Sequence, residues 1–169
     1  MKTTPRYESA MQIGFISGLQ PYDENRVNRL IIVVKNGPGV EGSMVKLNSF
    51  YLYVPEKISM FEDESCSFEN LGGDDKGHIV YGLKNEVYKK YNVDCEEIAK
   101  EKNLEYGQCL LYYKQLLTFG CDFKIIDVNE FQEYPEYSVF TAKADYEFNV
   151  VGRTNVNIVR DGIGDERVA

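Results

Sequence analysis

Residues 140 to 150, "FTAKADYEFNV", alternate without a break. Phe140, Ala142, Ala144, Tyr146, Phe148 and Val150 are apolar, while Thr141, Lys143, Asp145, Glu147 and Asn149 are polar. A period of two belongs to a strand, whose successive side chains leave on opposite faces. A helix would smear both sets around its circumference. The run therefore predicts a long strand with one dry face and one wet face. Its dry face requires a second layer, so the chain must build a sheet covered on one side. "GRT" then turns the chain, and "NVNIVR" is placed to pair back as a long C-terminal β-hairpin.

More strands precede it. "MQIGFIS", 11–17, and "RLIIVVK", 29–35, read as strands, the second apolar enough to be central. "SMVKLNSFYLYV", 43–54, is rich in aromatic and branched residues, and its alternation slips near Asn48 and Ser49, which predicts a bulge. Between the second and third strands lie Gly37, Gly39 and Gly42, with the G-x-G-x-x-G spacing of a dinucleotide-binding turn. Such a site needs a helix to open at the last glycine, so that free N–H groups face the pyrophosphate. Here the sequence after Gly42 is β, Pro38 removes a donor, and Glu41 would set a carboxylate against the phosphates. A hairpin turn between antiparallel strands is the better reading.

Residues 55–77 carry seven carboxylates between Glu56 and Asp75, and Gly72, Gly73 and Gly77 interrupt them. This segment reads as an acidic loop. Helices follow. "LKNEVYKKYN" suits a short one, and Asp94 with Glu97 three residues on gives an N-cap for "CEEIAKEKN". Cys109, Tyr112, Tyr113, Leu116 and Leu117 then fall on one helical stripe, with Gly120 placed to end it. "DFKIIDV" reads as a short strand. The expected fold is α+β: an antiparallel or mixed sheet with a long C-terminal β-hairpin and a helical segment packed on it. The 169 residues suit a single domain, subdivided as a β-rich N-terminal segment over 1–57, an acidic loop over 58–77, and a helical segment plus hairpin over 78–169. Expected core anchors are Ile13, Phe15, Ile31, Val33, Leu52, Ile98, Leu116, Ile125, Phe140, Tyr146 and Phe148.

The formal net charge of −8 disfavours nonspecific attraction to nucleic acid or an anionic membrane. No run approaches the roughly 18 apolar residues of a membrane span. Cys66, Cys95, Cys109 and Cys121 contain no C-x-x-C pair, and Cys95 and Cys109 read as small core residues. Three disulfide pairings are open, but with no apolar stretch of signal-peptide length in "MKTTPRYESAMQ", the expectation is a soluble protein of a reducing cytoplasm, the host's if the chain is virus-encoded.

Motifs for chemistry are sparse. His78 is the single histidine, so a multi-histidine metal site is excluded and His78 reads as a loop residue. Glu62, Asp63 and Glu64 are consecutive, as are Asp74 and Asp75, which is not the spacing of a calcium loop. No metal, cofactor or catalytic residue is expected. The five carboxylates Glu62, Asp63, Glu64, Asp74 and Asp75 read instead as an anionic surface for a basic protein partner.

"VDCEEIAKEKNLEYGQCLLYYKQLLTFGCDFKII", 93–126, resembles a winged helix-turn-helix. Ile98 and Ala99 match the first helix, Asn103 the turn, Leu104 the residue after it, and Cys109 and Tyr112 the second helix. "LLTFG" resembles the helix end and first wing strand, and "YSVFTAK" the second. Lys102 departs from a usually apolar position, and the recognition helix from about Glu105 to Leu117 holds only Lys114 as a cation. The resemblance implies a DNA-binding regulator with Lys84, Lys89, Lys90 and Lys114 on its basic face.

The leading expectation is a non-enzymatic binding or assembly protein acting through acidic and Tyr-rich surfaces. Its partner would be another protein, basic or nucleic-acid-handling, or a second copy of the chain. Small acidic chains without catalytic motifs are common among viral and mobile-element proteins, as virion components or inhibitors of host enzymes.

Overall fold

The alternating strand takes its place in the second of two four-stranded antiparallel sheets. The computed structural model describes residues 10–17, 26–37, 42–109, 116–126 and 139–150. Its strands are β1 (Met11–Ser17), β2 (Asn28–Asn36), β3 (Gly42–Pro55), β4 (Ile58–Met60), β5 (Phe68–Gly73), β6 (His78–Leu83), β7 (Leu116–Ile125) and β8 (Thr141–Val150). Helices α1 (Asn85–Tyr91) and α2 (Cys95–Lys102) lie between β6 and β7. The first sheet has the order β1-β2-β7-β4 and the second β5-β6-β3-β8. The fold is α+β. The arm 155–160 of the expected hairpin lies outside the described residues.

The sheets share one core. Leu30, Ile32 and Val34 of β2 and Leu117, Phe119, Cys121 and Phe123 of β7 face Phe50, Leu52 and Val54 of β3 and Phe68, Tyr81 and Leu83 of β5 and β6. Phe119 is the hinge of the packing. Its ring centroid lies 5.0 Å from Phe50 and 6.2 Å from Phe68, in the tilted and edge-on arrangements that aromatic quadrupoles favour. β8 behaves as its sequence predicts: Ala142, Ala144, Tyr146 and Phe148 are half-buried, and Thr141, Lys143, Asp145, Glu147 and Asn149 are exposed. Its partner β3 slips register between Met44 and Lys46 and again between Leu47 and Ser49, where the alternation of the sequence breaks.

Helix α1 seals the gap between the sheets. Asn92, just past its end, donates from Nδ2 to Leu47 O and accepts at Oδ1 from Leu47 N–H, both at 2.9 Å. Tyr88 Oη accepts from Phe50 N–H at 2.9 Å. Tyr91 donates to Thr118 O at 3.0 Å and accepts from Thr118 N–H at 3.3 Å. The edges of β3 and β7 that run past their strand partners thus find side-chain partners, part-buried at Leu47 and Phe50 and exposed at Thr118. α2 is capped as expected: Asp94 accepts from the N–H groups of Glu96 and Glu97, and Asn103 closes the helix in the left-handed region at φ 50.

Several expectations are overturned. The glycine stretch does not join the two strands of a hairpin, because β2 and β3 belong to different sheets. Gly42 is needed for close approach: a Cβ there would overlap Asn149 O and the Phe148 ring. Residues 58–77 are not a loop but hold β4 and β5, since Ile58, Met60 and Phe68 turn inward while the carboxylates occupy turns and solvent faces. Leu116 and Leu117 open β7, and Gly120 lies in mid-strand. From Leu117 the apolar residues recur every second position, and β2 offers a partner along that length. The core parity of β2 is Leu30, Ile32 and Val34, so Ile31 and Val33 face outward. Leu116 is 57% exposed and Phe15 41%. Finally, the four cysteines are paired, Cys66 with Cys121 and Cys95 with Cys109.

Candidate functional site

Register places a patch of unlike character on the solvent side of the second sheet. Directly paired residues share a face. Phe50, Leu52 and Val54 point inward, so Tyr51, Tyr53 and Pro55 point out. Tyr51 stands opposite Gly82 of β6 and Lys143 of β8, and Tyr53 opposite Val80 and Thr141. Gly82 leaves room for Leu71, whose Cδ1 would come within 2.9 Å of a Cβ there. Leu71 itself is 55% exposed. His78 closes the far end, 6.5 Å edge-on from the Tyr53 ring. The result is a strip of Tyr51, Tyr53, Val80 and Leu71, three strands and about 10 Å wide. Glu69, paired with Gly82, and Asp145, paired with Ser49, set carboxylates around it; Glu147 and Lys46 face each other further along.

The five carboxylates singled out in the sequence sit in two turns beside this face. Glu62, Asp63 and Glu64 belong to the turn after β4, and Asp74 and Asp75 to the turn between β5 and β6. Most of this set already serves the chain's own backbone. Glu62 accepts from Asn70 N–H at 3.0 Å. Asp63 accepts from the Ser65 hydroxyl at 2.7 Å and the Ser65 N–H at 2.8 Å, which with the Cys66 N–H and Lys84 hold its carboxyl below the ordinary value of 3.8. Asp74 accepts from His78 N–H at 2.9 Å and Lys76 N–H at 2.8 Å, and its second oxygen lies 3.2 Å from His78 Nδ1. The His78 backbone bond is the largest cause of its lowered value. Glu64 and Asp75 are exposed. The two turns lie at opposite ends of β5, on the order of 13 Å apart, so they flank one strand rather than form a single cluster.

Tyr51, Tyr53, Leu71, Val80, Glu69, Asp145 and Glu147 do not stand out as site residues in the sequence. The strand parity of 49–55 is a usable signal for the tyrosines. Leu71 is the residue skipped in the register shift between Asn70 and Gly72, and no local pattern predicts its side.

Three lysines of the expected basic face, Lys84, Lys89 and Lys90, lie on or beside α1. Lys84 precedes α1 and donates to Asp63 O at 2.9 Å. Lys89 and Lys90 are exposed on α1, with Lys90 Nζ 5.2 Å from the Tyr91 ring centroid. Lys114 lies outside the described residues. Residues 106–109 are helical, and 110–115 lie outside the described residues. No helix among the described residues is long and apolar enough to cross a membrane. Among the described residues no group of three His, Cys, Asp or Glu side chains could hold a metal ion. No family model matches the chain, and no curated protein and no solved structure matches it.

Proposed function

We propose that the protein is a non-enzymatic binding or assembly module whose partner, another protein, docks on the outer face of the second sheet. One observation carries this reading: Tyr51, Tyr53, Val80 and Leu71 lie side by side on solvent-facing positions, with Glu69, Asp145 and Lys143 around them. A tyrosine offers a large rigid apolar area at small entropic cost and keeps a hydrogen-bonding tip. An apolar, aromatic centre within a charged rim is the anatomy of a protein interface. A net charge of −8, with Glu62, Asp63, Glu64, Asp74 and Asp75 on the flanking turns, favours steering of a basic partner. The setting that suits such a chain is a virion component or an inhibitor of a host enzyme. A reducing cytoplasm suits four thiols; two bridged pairs favour an oxidising compartment instead.

The test is capture of partners with the full chain as bait. Wild type is compared with Tyr53→Ser/Leu71→Ser and with a variant neutralised at the five turn carboxylates. Loss of a partner in the first variant, with unchanged thermal unfolding, supports the docking face. Partners retained by the first and lost by the second would move the interface to the acidic turns.

A winged-helix DNA regulator is the second reading, favoured by the left-handed Asn103 after α2. Lys89, Lys90 and Lys114 would neutralise about three phosphates, giving a salt slope of only about −2.7. Fluorescence anisotropy with random duplex DNA at low and physiological salt tests it, and no binding at low salt discards it.

A further inference from the structure

The two disulfides occupy different environments. Cys66–Cys121 belongs to the main core and joins a residue two positions before β5, a strand of one sheet, to β7 of the other. Backbone bonds brace it on both sides: Ser67 N–H donates to Gly120 O at 2.7 Å, and Phe61 N–H donates to Asp122 O at 2.9 Å. Among the described residues, Cys95–Cys109 forms a second, separate cluster whose buried members are the two cysteines themselves, with Val93 and Ile98 partly buried against them. α2 has eight residues, well short of the roughly 12–15 at which an isolated helix becomes even marginal. Asp94 and Asn103 cap it, but caps do not replace packing. The bridge is thus the centre of the 93–109 lobe, whereas the other bridge is an addition to an already large core.

We propose that the chain matures where thiols are oxidised, and that Cys95–Cys109 is a redox-addressable latch: its reduction unfolds the 93–109 lobe while the two-sheet sandwich stays folded. In the forward direction two cysteine thiols give up two protons and two electrons to a protein or small-molecule disulfide, which leaves as two thiols. In reverse, one thiolate of a dithiol attacks a bridge sulfur and forms a mixed disulfide. Its second thiol displaces the remaining cysteine, so the dithiol leaves oxidised and both cysteines are reduced. Cys66, Cys95, Cys109 and Cys121 are between 0% and 3% exposed, so either attack needs an opening of the structure. Opening the lobe exposes, among the described residues, the small cluster of Val93, Cys95, Ile98 and Cys109. Opening the sandwich exposes Phe50, Phe68, Phe119, Phe123 and the rest of the main core. Local openings of this kind differ widely in free energy within one protein, and the least-packed unit opens first.

The experiment uses the full chain, equilibrated in an oxidising glutathione buffer and then exposed to dithiothreitol without denaturant. Samples are alkylated with iodoacetamide at intervals and the labelled cysteines mapped by mass spectrometry. The expected result is no labelling at the start, then labelling of Cys95 and Cys109 at least tenfold faster than of Cys66 and Cys121. Tryptic cleavage after Lys100 or Lys102 should follow the faster course, while the near-ultraviolet signal of the packed tyrosines persists. Four free thiols after oxidation, equal rates, or earlier labelling of Cys66 and Cys121 would overturn the proposal. Cys95→Ser/Cys109→Ser supplies an independent readout. It should be cleaved after Lys100 from the outset and keep the main thermal transition; protease resistance equal to the oxidised protein, or loss of that transition, would also overturn it.

Discussion

Asn92 stands in for a strand residue without belonging to a strand. Its amide meets both polar groups of Leu47, the Tyr91 hydroxyl does the same for Thr118, and the Tyr88 hydroxyl accepts from the Phe50 N–H. Removing a partner from half-buried backbone costs the desolvation of the groups left behind. Asn92→Ala should therefore destabilise by about 2 kcal/mol and Tyr88→Phe by about 1 kcal/mol, read as shifts in the urea midpoint at constant slope. No shift in either would mean that water replaces these side chains and that α1 does not cap the edges. Burial raises the Tyr88 hydroxyl above its ordinary value of 10.0, so it stays a neutral acceptor through the physiological range. Asp63 and Asp74 act in the other direction. Their folded values lie below 3.8, so the stability they add is present above that value and is lost as pH falls through the lowered ones. Amide protection factors at Ser65, Lys76 and His78 should fall on acidification below pH 3.8, and Asp74→Ala should show the low protection of Lys76 and His78 already at neutral pH. The edge caps are not visible in the sequence, because Asn92 and Leu47 lie 45 positions apart.

At the scale of elements, the legible stretches were those with a clean local period. β8, β1 and the Asp94 cap follow from residues within a few positions of one another. β2 shows where that reasoning fails. Leu30 to Val34 are all apolar, so either parity fits the run itself. The flanking cations held the answer: Arg29 and Lys35 share parity with Ile31 and Val33, and Arg29 pairs with Asp122 at 2.9 Å on the outer face. At Leu116 and Leu117 a helical stripe and a strand alternation coincide, and pairing with β2 decides for the strand. The Cys66–Cys121 bridge closes 55 positions and lies in the shared core. Cys66→Ala/Cys121→Ala should lower the stability of the sandwich by about 4 kcal/mol in the chain-entropy account, measured by guanidinium unfolding. A loss below about 1 kcal/mol would mean that the core alone fixes the loop.

The whole molecule is a sandwich assembled from distant segments. β2 pairs with β7 and β3 with β8 across some ninety positions, and no local signal announces such partners. The acidic and Tyr-rich character of the surface was legible from composition, yet the arrangement was not. Three of the five expected carboxylates, Glu62, Asp63 and Asp74, hold turns. The tyrosines gain a neighbourhood only when β5, β6, β3 and β8 lie side by side. Two leucines allow a matched comparison of the two outer faces: Leu71 on the second sheet is 55% exposed and Leu116 on the first is 57% exposed. A photo-reactive residue placed at position 71 or at position 116, irradiated in the native host, tests the docking face most directly. The account predicts a discrete cross-linked partner from position 71 that is absent from position 116. Identical products from both positions, or a discrete partner from position 116 alone, would contradict it.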